Sequence, residues 1–156
     1  MMRSMHPASR PRRAGLSFGQ SPVFAVKRSA EPRSVRALRA GIRNWLTGLE
    51  RPADDRDDVV LAVSEAFEIA VAHAYARGPS GVVELSGGVV EIFGHVEAAG
   101  QLRRVVLRVR DHGRWRPVPA DPGHRGHGFK VMRECMDQVW IAAAPGGRRL
   151  EQAWRS

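Results

Sequence analysis

Residues 57–75 read DDVVLAVSEAFEIAVAHAY, and their spacing decides the fold. At about 100° per residue, Val59, Val63, Phe67, Ala70 and Ala74 fall on one helical face, a stripe made to pack on a core. Glu65, Ile69 and His73 step by four along a different stripe. The pattern predicts a long helix from residue 54 to about residue 76. Asp54, Asp55, Asp57 and Asp58 crowd its start, where carboxylates cap free N–H groups and suit the helix dipole. Gly78, Pro79 and Gly81 end it. A carboxylate such as Glu65, flanked by apolar residues, sits either at a solvated rim or at a site; alone it does not distinguish the two.

Upstream, residues 21–28 (SPVFAVKR) have the β-formers Val23, Phe24 and Val26 and predict a strand. Pro32 opens an amphipathic helix running to about Leu49. Its stripe is Val35, Leu38, Ile42, Trp45, Leu46 and Leu49, with Arg33, Arg36, Arg39 and Arg43 on the opposite, solvated side. Downstream come a short β-like segment at 81–85 and longer ones at 89–96 and 102–111, the last two joined by a turn at 98–101. In the last, Val105, Leu107 and Val109 alternate with Val106, Arg108 and Arg110, a half-buried pattern. Residues 112–125 (HGRWRPVPADPGHR) form a long loop, of the kind that carries function. A third helix is predicted at 126–137, and a hairpin at 139–144 and 148–154 closes around Pro145-Gly146-Gly147. Helices and antiparallel strands are segregated, so the expected class is α+β: a two-layer sandwich with a mostly antiparallel mixed sheet and helices on one face.

The chain of 156 residues is one domain's worth. Ten of the 25 Lys and Arg residues and one of the 16 acids lie in residues 1–43, a sum of +9; the remaining body is neutral. A nucleic-acid surface spread over the fold is therefore not expected. Residues 1–20, with four arginines and no periodicity, are expected to be a disordered basic arm outside the folded domain of 21–156. No apolar run reaches the ~20 residues that a membrane helix needs. The single cysteine, Cys135, excludes an internal disulfide framework and fits a reducing, cytoplasmic setting.

Three further features carry chemistry. Asp111-His112-Gly113 ends a strand, where an aspartate presents acceptor oxygens and a glycine without Cβ lets a flat ligand lie on the backbone. Gly123-His124-Arg125-Gly126-His127-Gly128-Phe129 precedes a helix, where exposed N–H groups suit anions. Each alone is a weak signal, since glycines also simply make turns. In order, a Glu-bearing helix, a strand-end D-x-G, a proline-rich loop and a G-x-G helix start resemble the Bergerat-fold (GHKL) ATPases. The texture DDVVLAVSEAFEIAVAHAY … VRDHGRW … DPGHRGHGFKVM … MDQV is similar to the bacterial anti-sigma factor serine/threonine kinases, from about residue 21 to the end.

The resemblance implies an ATP-binding anti-sigma regulatory factor. It implies Glu65 as general base toward an acceptor hydroxyl. It implies Asp111 as acceptor for the adenine amino group, Gly113 beneath the base, Gly126 and Gly128 at the phosphates, and residues 112–125 as a lid. His73 falls where the family commonly has a helix histidine, with a structural hydrogen bond as its expected role. The implied partners are a STAS-type anti-anti-sigma protein and a sigma factor, with a homodimer left open.

The sequence departs from the family at one position. The family has an asparagine four residues after the glutamate, a ligand of Mg²⁺; here Ile69 stands there and offers no oxygen. Glu68 points about 100° away from Ile69 on a helix. ATP is thus the expected cofactor, and Mg²⁺ use is in doubt. Two readings follow: a protein serine/threonine kinase, or a degenerate relative that regulates by contact and binds nucleotide weakly or without Mg²⁺.

Overall fold

A computed structural model describes residues 23–74, 88–112, 127–144 and 147–155. Its elements are β1 (Phe24–Ser29), α1 (Ser34–Gly48), α2 (Ala53–Ala74), β2 (Val89–Ala99), β3 (Leu102–Asp111), α3 (His127–Cys135), β4 (Gln138–Ala144) and β5 (Gly147–Arg155). The strands form one five-stranded sheet in the order β1-β2-β3-β5-β4. Every pairing among these strands is antiparallel. Helices pack against the sheet, α1 on β1 and α2 over β2, β3 and β5, with α3 on α2. The α+β expectation holds, and the described part of the sheet has no parallel pair. The short segment expected at 81–85 and the arm at 1–20 lie outside the described residues.

Periodicity explains the layers. Val59, Val63, Phe67 and Ala70 of α2 are all essentially inaccessible, as their shared face requires. Leu38, Ile42, Trp45 and Leu46 of α1 are buried, while Val35 and Leu49 flank that core half-buried. On β3, Val105, Leu107, Val109 and Asp111 point inward together. Trp45 presses on β2 so closely that a Cβ on Gly94 would stand 2.9 Å from its Cη2 and 3.0 Å from Leu107 Cδ2, which only glycine allows. Trp45 also meets Phe24, with ring centroids 5.6 Å apart.

The basic side of α1 is not simply solvated. Arg39 donates from Nε to Ser64 Oγ at 2.8 Å and reaches Glu68 Oε1 at 3.3 Å. Arg43 pairs with Asp57 at 3.0 Å. Asp57 therefore links α1 to α2, while Asp54 and Asp55 lie inside the first turn, where their charges suit the helix dipole.

Helix α1 stops after Gly48 in a defined way. The Glu50 N–H donates to Thr47 O at 3.0 Å and the Arg51 N–H to Leu46 O at 3.2 Å, a Schellman closure. The residue after the cap is Glu50, in the left-handed region at φ 57°. The outer face of the sheet holds a shallow groove of about 380 Å³ lined by Lys27, Glu91, Phe93, Arg108 and Arg110. There Glu91 takes Lys27 at 2.9 Å and His112 at 3.0 Å, and these two contacts hold its carboxyl below the usual glutamate range.

Candidate nucleotide site

Glu65, Ile69 and Gly128 meet where α2 packs on α3. The described part of helix α3 runs from His127, and Gly128 within it is buried. A Cβ built on Gly128 would stand 3.0 Å from Ile69 Cδ1 and 3.1 Å from Glu65 Oε2. The two helices touch here through a bare glycine backbone, and the Glu65–Ile69 stripe of α2 is the surface they touch on. Behind it, Met132 and Cys135 of α3 continue the seam as buried residues. The Cys135 thiol is pushed up by burial first, then by the charges of Asp58, Glu134 and Glu65, so it is an inert packing group.

Glu65 is half-buried. Burial pushes its carboxyl above the usual glutamate range, the negative charge of Glu68 adds to that, and Arg39 opposes it. A carboxyl with a raised pKa takes up a proton more readily than a free glutamate does. The sequence places Arg39 only on the solvated side of its helix, with no link to Glu65. Its place depends on how α1 and α2 pair side by side, which no periodicity within either helix reveals.

Asp111 is the last residue of β3 and is only 4% exposed. It ends the inward row that begins at Val105, so its carboxylate leaves the sheet on the helix side. Gly113, Gly126 and the 112–125 lid lie outside the described residues, apart from His112, and so does the His73 side chain. The structure thus brings Glu65, Ile69 and Gly128 together and buries Asp111 at the strand end.

The position expected to hold a metal ligand is filled by an apolar side chain. Ile69 is 7% exposed, and its Cδ1 and Cγ1 both lie against Gly128. Glu68, the nearby alternative, is exposed and paired with Arg39. No group of three His, Cys, Asp or Glu side chains among the described residues is arranged to hold a metal ion. Mg²⁺ takes oxygen ligands, and the Ile69 side chain supplies none at this position.

The histidine kinase-like ATPase domain family matches residues 28–154, which takes in the end of β1, every element from α1 to β4, and β5 but for its last residue. The chain belongs to this family. Among its relatives, the anti-sigma F factor of Anoxybacillus flavithermus (strain DSM 21510 / WK1) is 31% identical over 114 residues, covering 66% of this chain and 70% of that one. The solved structure of the RsbU and RsbW domains of Rv1364c from Mycobacterium tuberculosis superposes with a TM-score of 0.60 at 25% identity. That match covers 86% of this chain and 32% of the other, so the chain spans about a third of that protein's length. As a histidine kinase-like ATPase domain, the chain has the α+β architecture expected of it. Among the described residues, no helix is long and apolar enough to cross a membrane.

Proposed function

We propose that this chain is an ATP-binding anti-sigma regulatory factor that acts on a STAS-type anti-anti-sigma protein and a sigma factor. The observation that carries the reading is the family match over residues 28–154 together with a buried Asp111 at the end of β3. In this reading Asp111 accepts the hydrogen bond of the adenine amino group and Gly113 lies beneath the ring. The N–H groups around Gly126 and Gly128 face the phosphates at the start of α3. The curated relative named an anti-sigma F factor supports the partner class.

Within this reading Glu65 is the general base toward a partner's serine or threonine hydroxyl. Its burial beside Ile69 and the charge of Glu68 favour uptake of the hydroxyl proton, and Arg39 limits how far its pKa climbs. Phosphoryl transfer of this kind relies on a cation at the phosphates.

A second reading is favoured by one observation: Ile69 is packed on Gly128 where the family carries a metal ligand. That favours a regulator that works by contact, with nucleotide held by base and backbone contacts alone. The test of the main reading is titration of a fluorescent ATP analogue against the natural chain and Asp111→Ala. Loss of the acceptor leaves a buried donor unpaired, so affinity should fall roughly 5- to 150-fold. Equal affinities remove Asp111 from the adenine site. Incubation with ATP and a STAS-type partner then separates the readings: phosphate on the partner's hydroxyl supports the kinase, and its absence with intact complex formation supports contact alone.

A further inference from the structure

Asp111 is buried at the very end of its strand, and the backbone ladder holds it from one side. Toward β2 its register partner is Val90. Toward β5 the pairing of β3 stops one residue earlier, at Arg110 opposite Arg149. A terminal strand residue paired on one side frays readily, and the direction of its carboxylate is lost with it.

The next residue, His112, supplies a second hold. Its Nε2 lies 3.0 Å from Glu91 Oε2. A carboxylate can only accept, so Nε2 carries the proton and donates. Glu91 stands opposite Arg110 in the β2–β3 register, which makes His112 its diagonal neighbour on the outer face of the sheet. Glu91 is fixed from the far side as well: Lys27, its register partner on β1, reaches its other oxygen, Oε1, at 2.9 Å. The contacts with Lys27 and His112 lower the Glu91 pKa, so the carboxyl stays an anion and a competent acceptor at neutral pH. The three side chains form a strap across β1, β2 and the end of β3.

With the ladder on one flank and the strap on the other, the peptide units before and after Asp111 are both held. The strap lies on the outer face, while Asp111 belongs to the buried inner row of β3. His112 therefore acts on a ligand of Asp111 only through the backbone.

We propose that His112 is a positioning residue for the base end of the nucleotide site: through Glu91 and Lys27 it pins the end of β3 and so aims the Asp111 carboxylate. This rests on the reading of Asp111 as the adenine acceptor.

The test titrates a fluorescent ATP analogue into the natural chain and its variants, well below every unfolding transition, so that affinity is read on folded protein alone. Salt at about 0.3 M screens the lost charges. His112→Ala and Glu91→Ala should each weaken binding roughly two- to five-fold, since a part-exposed pair is worth no more than that. The double variant should lose no more than the more damaging single, because both changes break one strap. His112→Gln places an amide N–H near the position of Nε2 and should recover most of the loss. Asp111→Ala in the same series keeps the two claims apart. If it weakens binding and His112→Ala does not, the strap is overturned and the adenine reading stands. If Asp111→Ala binds like the natural chain, the adenine reading falls and the proposal with it. Losses that add in the double variant, or a His112→Gln as weak as His112→Ala, also overturn the proposal.

Discussion

Ile69 Cδ1 lies 3.0 Å from the point where a Cβ on Gly128 would stand, so α2 and α3 meet side chain to backbone at the position for which the sequence resemblance implies a metal ligand. Gly128→Ala would push a methyl group into Ile69 and Glu65 at once. The helix-propensity gain is small so near a helix start, and overpacking wins. The variant should lose about 1–2 kcal/mol in urea unfolding. Ile69→Val should recover part of that loss in the double variant, because the two residues share the contact.

Glu50 occupies a conformation that glycine adopts freely and other residues adopt at a cost of about 1 kcal/mol. Glu50→Gly should therefore stabilise the chain by about 1 kcal/mol, less whatever the freer unfolded chain takes back. Thermal and urea unfolding check this, and a loss of stability would mean that the Glu50 side chain contributes more than its backbone strain removes.

The Glu65 carboxyl is held above the ordinary glutamate value of 4.5, first by burial and then by Glu68. In the window between the ordinary and the raised value the folded chain binds more protons than the unfolded one. Stability from this group therefore falls as pH rises through that window and stays lower above it. Glu65→Gln should remove the loss, so the variant gains on the natural chain as pH rises past the folded value. Arg39→Met should raise the Glu65 pKa further, because Arg39 opposes the shift. Carboxyl ¹³C titration of Glu65 and urea unfolding from pH 4 to 8 read both effects.

The layers of the fold were legible because they rest on periods within single elements. Val59, Val63, Phe67 and Ala70 repeat at helical steps, and Val105, Leu107 and Val109 alternate, so each names its own buried face. The same arithmetic put Glu65 and Ile69 on one stripe, and that stripe meets α3. What it left out depends on two elements at once. Asp57 reads as a cap within its own helix, yet it pairs with Arg43 of α1. Gly128 reads as a phosphate glycine, yet it is also where the helices approach too closely for a Cβ. Arg39 reads as a solvated cation, yet it bridges to Ser64 and Glu68 beside the candidate base.

Ile69→Asn places an amide oxygen at the position for which the sequence resemblance implies a cation ligand. The substitution gives up buried apolar contact with Gly128 and puts a polar group in its place, at a cost of about 2–4 kcal/mol. Urea unfolding reads that cost, and a near-neutral result would mean that the pocket around residue 69 is wetter than its burial implies.

Calorimetric titration of ATP into the natural chain, with and without Mg²⁺, tests the central claim most directly. The account predicts measurable ATP binding whose affinity changes by less than about three-fold with Mg²⁺, about 0.6 kcal/mol. It also predicts a clearly larger Mg²⁺ effect in Ile69→Asn. No ATP binding by the natural chain, or a ten-fold or greater strengthening by Mg²⁺, would contradict it.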